Sequence, residues 1–177
     1  MLELILGIIV LVALLSLIFV VYHNKFKISI IKMEEAENNI DLLLQKKLDL
    51  LKRAKPIVIK ELKLDFFLDA IENDNIDELN HFELNELLKK SFNEFFQILD
   101  ENEKLFKSEA LVRIIEELNS NEVELVAAVK FYNDTVVTFN QLIVSFPSNI
   151  IRLFFRYKKK EFYNHEKREI YEILKDN

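Results

Sequence analysis

The sequence predicts an all-α protein in which a single N-terminal transmembrane helix continues into an up-and-down antiparallel four-helix bundle with long helices. Three observations carry this prediction. The stretch from Leu4 to Tyr22 holds no charged residue. Two long segments beyond it repeat apolar residues in steps of three and four, the spacing of one helix face. One Gly and two Pro in 177 residues leave few signals for the tight turns a β protein needs.

The uncharged stretch is the first element. At about 1.5 Å of rise per residue it reaches about 28 Å as a helix, enough to cross a bilayer. A cleaved signal peptide needs a basic start and small residues before the cut. Here Glu3 is the only charge before the run, and the exit reads Phe19-Val20-Val21-Tyr22-His23-Asn24. Residues 1–24 are therefore expected to be a retained anchor. Lys25, Lys27 and Lys32 follow the span and no Lys or Arg precedes it. The positive-inside bias then puts the N-terminus outside and the remainder in the cytoplasm of a single-pass cell-membrane protein.

From Phe26 the same helical template gives Ile30, Met33, Ile40, Leu44, Leu51, Ala54 and Val58, with Glu37 and Lys47 as polar interruptions. No breaker intervenes before Pro56, so anchor and first soluble helix are expected to form one rod, with Pro56 a candidate kink. Glu72-Asn73-Asp74-Asn75 reads as a turn, and Asp77 as the cap of a second helix marked by Leu84, Leu88, Phe92, Phe95 and Leu99. A third helix runs through Leu111, Ile115, Leu118, Glu122, Leu125, Val129, Tyr132, Val136, Phe139, Ile143 and Phe146. Ser108 can cap its start, and Pro147 with Ser148 interrupts its end. Ile150, Ile151, Phe154 and Phe155 suggest a shorter fourth helix. The bundle is expected over residues 25–164, followed by a charged helical tail at 165–177.

Composition narrows the chemistry. Without Cys there are no disulfides, thiolate ligands or Cys nucleophiles. A net charge of −6 with mixed signs gives no general affinity for nucleic acid. No Gly-rich phosphate loop or nucleophile elbow is available with one Gly. Glu78-Leu79-Asn80-His81 has the Glu-x-x-His spacing of di-iron bundles, but such sites need two of these motifs and two further Glu. No catalytic, cofactor or metal residue is predicted, and no small-molecule substrate is evident.

Several blocks stand in a recognisable order. Ile40-Asp41-Leu42-Leu43-Leu44-Gln45-Lys46-Lys47-Leu48-Asp49-Leu50-Leu51 comes first; Leu105, Ser108 and Glu109 follow, then Glu117, Leu118 and Glu122. The most specific block is Tyr132-Asn133-Asp134-x-Val136 with Asn140, Ile143 and Phe146-Pro147. In this order and spacing the series resembles the LemA family, over the anchor and residues 26–163. The resemblance implies an N-terminally anchored bacterial helical bundle with no established general activity. Glu37, Lys52, Arg156 and Glu161 depart from it, standing where the family has Trp, Pro, Gly and Pro. With a Gly and a Pro lost near the end, the chain from Ser148 to Lys175 is expected to be more helical than in relatives.

The signature residues Ile40, Asp41, Asp49, Glu122, Tyr132, Asn133, Val136, Asn140, Phe146 and Pro147 are read as structural. Asn133 and Asn140, seven apart, share a helix face; they fit either a polar network fixing helix register, with Asp41 in the matching block, or an amide-lined partner groove. Glu122 on an apolar seam needs a partner, and Lys47 on the first helix is the obvious candidate. Arg152, Arg156, Lys158, Lys159 and Lys160 interleave with aromatics, and two readings fit them. Either the aromatics pack on the bundle, starting at a Pro147 distal to the bilayer, or the segment contacts a membrane. Two functions remain open: a membrane-anchored scaffold or interaction protein that binds an unidentified protein or itself, and an accessory or regulatory subunit of a membrane enzyme or transporter.

Overall fold

A computed structural model describes residues 1–64, 67–72, 76 and 79–163, with His81 described by its backbone only. Its helices are α1 (Leu2–Leu62), α2 (His81–Glu101), α3 (Glu109–Val144) and α4 (Ser148–Phe155), with 3-10 turns at Asp69–Glu72 and Glu103–Lys107. The chain divides into two compact units: Glu37–Lys130, and Met1–Ala36 together with the chain from Phe131 onward. Both α1 and α3 contribute to each.

The helix boundaries follow from local chemistry. α1 runs through Pro56 without ending and stops at Leu62, where Lys63 adopts a positive φ of 53°. α2 opens on a capping box: Asn80 Oδ1 accepts from the Phe82 and Glu83 amides at 3.0 and 3.1 Å, and Glu83 Oε2 accepts from the Asn80 amide at 3.1 Å. The cap is thus Asn80, and the expected cap Asp77 lies outside the described residues, as do residues 73–75 of the expected turn. Ser108 caps α3 as expected, its hydroxyl accepting from the Leu111 amide at 3.4 Å.

In the Glu37–Lys130 unit, Ile40, Leu44, Leu51 and Val58 of α1, Leu88, Phe95 and Leu99 of α2, and Leu111 and Leu118 of α3 are buried. Each such side chain contributes about 1.5–3 kcal/mol by leaving water. α1 and α3 are antiparallel here, since Arg53 meets Glu117 while Lys47 meets Glu122. α3 buries more than its seam. Ile114, Asn121 and Ala128, seven apart, form a second buried stripe beside it.

In the other unit, the Phe26 ring packs edge-on against Phe139 at 5.6 Å and stacks on Tyr157 at 4.7 Å. A cis Phe146–Pro147 bond leads into α4. Two expectations are corrected. Within the described residues the chain from Ser148 is not one continuous helix: α4 ends after eight residues, Arg156 adopts φ 54°, ψ 35°, and residues 157–163 are non-helical, while residues 164–175 of that expectation lie outside the described residues. Arg156 takes the left-handed conformation that Gly would adopt without strain, so loss of the glycine did not remove the break. Nor is Pro147 distal to the apolar run. Phe154 and Phe155 meet Phe19, because α3 at Phe139 has returned to α1 at Phe26. The expected tail helix at 165–177 lies outside the described residues.

Candidate functional site

The most specific block of the sequence forms a docking face on α3. Asn140 donates through Nδ2 to the Lys160 carbonyl and accepts through Oδ1 from the Lys160 amide, both at 2.9 Å. One helical repeat earlier, Asn133 Oδ1 accepts from the Tyr163 amide at 2.8 Å in a buried position. Seven helical residues advance about 10.5 Å. Three extended residues advance about 10 Å. The seven-residue spacing of the two asparagines therefore matches the three-residue step from Lys160 to Tyr163, and residues between them run extended along α3.

Tyr132 completes the face. Its hydroxyl lies 3.4 Å from the Glu161 carbonyl, and its ring meets that of Tyr163 at 6.1 Å, edge to face. Tyr163 is 2 % exposed, so its side chain is buried against this face. Val136 is fully buried beneath, Pro147 is half-buried and Phe146 is exposed. Tyr157, packed among Phe26, Phe139 and Phe155, has its phenol pushed up from the ordinary value of 10.0 by burial.

The other signature residues belong to the Glu37–Lys130 unit. Ile40 is buried, Asp41 is exposed, and Asp49 lies 4.0 Å from Arg53 on the surface of α1. Lys47 is 2 % exposed and donates to Glu122 Oε2 at 2.6 Å, with its ammonium 4.5 Å from the centre of the Phe92 ring. This is the pair the sequence suggested. The lysine is desolvated on one side by the ring and neutralised on the other by a carboxylate that remains about one-third exposed.

Two polar sites had no clear signal in the sequence. Asn121 is fully buried and donates through Nδ2 to the Leu43 carbonyl at 3.1 Å. Its seven-residue relation to Ile114 and Ala128 could have marked it as a flank of the seam. Lys55 is buried and bridges Asp69 Oδ1 at 2.9 Å and Glu72 Oε2 at 2.8 Å. Burial opposes its charge, but the hydrogen bonds and charges of Asp69 and Glu72 outweigh burial and raise its pKa from 10.5. The Lys55 hydrogen bond in turn lowers Asp69 from 3.8. The pair ties the Asp69–Glu72 turn to α1.

Of the basic residues singled out, Arg156, Lys158, Lys159 and Lys160 are exposed and Arg152 is half-buried. Among the described residues, no three His, Asp or Glu side chains come together as a metal would require.

The fold and this face define a class: an all-α protein whose packed helices follow a long apolar N-terminal helix able to span a membrane, with a C-terminal segment clasped by amides. A family model described as the LemA family matches residues 68–173, more than half of the chain, and the chain belongs to the LemA family. That range contains the block from Tyr132 to Pro147 and begins after the Ile40–Leu51 block. No curated protein and no solved structure matches the chain.

Proposed function

We propose that the chain is a membrane-anchored, non-catalytic helical scaffold or interaction protein, with its N-terminus outside and its helical part in the cytoplasm. One observation carries the reading. Every residue of α1 from Leu2 to Val21 is exposed, and the first buried residue is Phe26. Leaving so many Leu, Ile and Val side chains in water would cost on the order of tens of kcal/mol, which insertion in a bilayer avoids. The same helix continues from the apolar run into the buried positions that begin at Phe26. Lys25, Lys27 and Lys32 just after the apolar run support the orientation. The clasp on α3 supports a structural use of the signature asparagines, since their amides engage the chain's own backbone.

The test is crosslinking in native membranes, then purification of the full chain and identification of everything retained by mass spectrometry. Ladders of the chain alone support a self-assembling scaffold. A discrete partner in fixed ratio would replace that reading with the accessory-subunit one, and a soluble, uncrosslinked chain would contradict both.

A further inference from the structure

We infer that α4 is a second membrane element, resting in the headgroup layer of an anionic leaflet beside the emerging anchor. The inference rests on the anchor reading and deepens it.

The first ground is exposure in a helical pattern. Ile150, Leu153 and Phe154, on one face of α4, are 48 %, 68 % and 74 % exposed, and Phe146 just before the helix is 78 % exposed, whereas Ile151 is buried. Such a cluster of large apolar side chains on one short element marks an interaction surface. The second ground is height along the anchor. The Phe154 and Phe155 rings lie 6.1 and 5.9 Å from that of Phe19, and Phe155 lies 4.4 Å from His23. Phe19 is the start of the last turn of the uncharged run, about 4.5 Å along the helix before Tyr22. The aromatic end of α4 is thus level with the place where the apolar run ends.

The third ground is charge. Residues 19–33 and 141–160 contain Lys25, Lys27, Lys32, Arg152, Arg156, Lys158, Lys159 and Lys160, and no Asp or Glu, in a chain whose net charge is −6. Basic residues flanking an apolar face near the end of a membrane span are the pattern of an interfacial helix. Each Lys or Arg near an anionic surface contributes about 1 kcal/mol. An aqueous protein partner would explain the exposed rings but not their alignment with the end of the anchor.

The native chain contains no Trp, so single tryptophans report cleanly. The full chain is reconstituted in phosphatidylcholine vesicles containing roughly 30 % phosphatidylglycerol, with bromine at shallow or deep acyl positions. Phe154→Trp should lose about half of its emission to shallow bromines and less to deep ones. Leu11→Trp should show the opposite order, and Val123→Trp should be unaffected. If Leu11→Trp is not quenched, the anchor reading fails and this inference with it. If Leu11→Trp is quenched and Phe154→Trp is not, the inference alone is overturned; blue-shifted, unquenched emission would then show that protein covers α4. Adding Lys158→Glu and Lys159→Glu to Phe154→Trp should weaken its quenching, and an unchanged value would overturn the assignment to an anionic leaflet.

Discussion

Asn140 binds Lys160 at both the amide and the carbonyl of its backbone, each bond 2.9 Å long, so one side chain imitates the pairing of a neighbouring strand. With Asn133 on Tyr163 one helical repeat away, it holds an extended segment on a helix. The two asparagines therefore serve the fixation of a strand-like segment that has no sheet to join.

This clasp should be visible in hydrogen exchange. The Lys160 and Tyr163 amides should be protected in the native chain. Asn133→Ala should speed exchange at Tyr163 by about tenfold or more, the equivalent of losing roughly 1.4 kcal/mol, while α3 keeps its own protection. Equal protection in the variant would show that the Asn133 bond is not what holds Tyr163.

Arg156 is the place where sequence reasoning can be turned into a gain. A non-glycine residue at φ 54° costs about 1–2 kcal/mol, and glycine recovers part of it against a larger unfolded-state entropy. Arg156→Gly is expected to raise stability by about 0.5–1 kcal/mol, read as a higher midpoint in denaturant. A lower midpoint would mean that the side chain makes a contact worth more than the strain.

The Lys47–Glu122 pair should behave as a buried charge with one partially wet partner. Glu122→Leu removes both countercharge and acceptor, leaves the ammonium against the Phe92 face, and should cost about 2–3 kcal/mol. Replacing both residues, Lys47→Met with Glu122→Leu, should restore stability to within about 1 kcal/mol of the native chain. A double variant as unstable as the single one would show that the pair specifies packing and is not simply self-compensating.

Lys55 and Asp69 set a pH window. The Lys55 pKa is raised above 10.5, so its contribution is complete below that value and is lost as pH rises through the higher folded-state value. The Asp69 pKa is lowered below 3.8, so its contribution is present above that value and is lost as pH falls through the lower folded-state value. Between these limits the tie should be constant. Asp69→Asn should flatten the acid limb of a stability-versus-pH curve measured in detergent, and an unchanged limb would remove Asp69 from the account.

How much of this was legible beforehand depends on whether the signal is periodic. The long helices were, because Leu111 to Ile143 repeats one face and Leu84 to Leu99 another. The Lys47–Glu122 pair was legible too, since each interrupts an apolar seam and needs a partner. The clasp was only half legible. The spacing of Asn133 and Asn140 announced a shared face, but what occupies that face depends on Arg156 turning left-handed, and propensity alone argues that an Arg there continues a helix. The Lys55 tie was not legible, because its acids lie 14 and 17 residues away across a non-periodic connection. The position of α4 was not legible for a related reason: helix order along the chain does not fix direction, and the Phe26–Phe139 contact does.

The most direct test of the central claim uses the absence of Cys from the native chain. Glu3→Cys and Asp49→Cys are introduced singly into the full chain and exposed in intact cells to a maleimide that cannot cross membranes. The account predicts that Glu3→Cys labels in intact cells and Asp49→Cys labels only after lysis. Labelling of Asp49→Cys in intact cells would contradict the orientation, and labelling of both from the same side would contradict the membrane span itself.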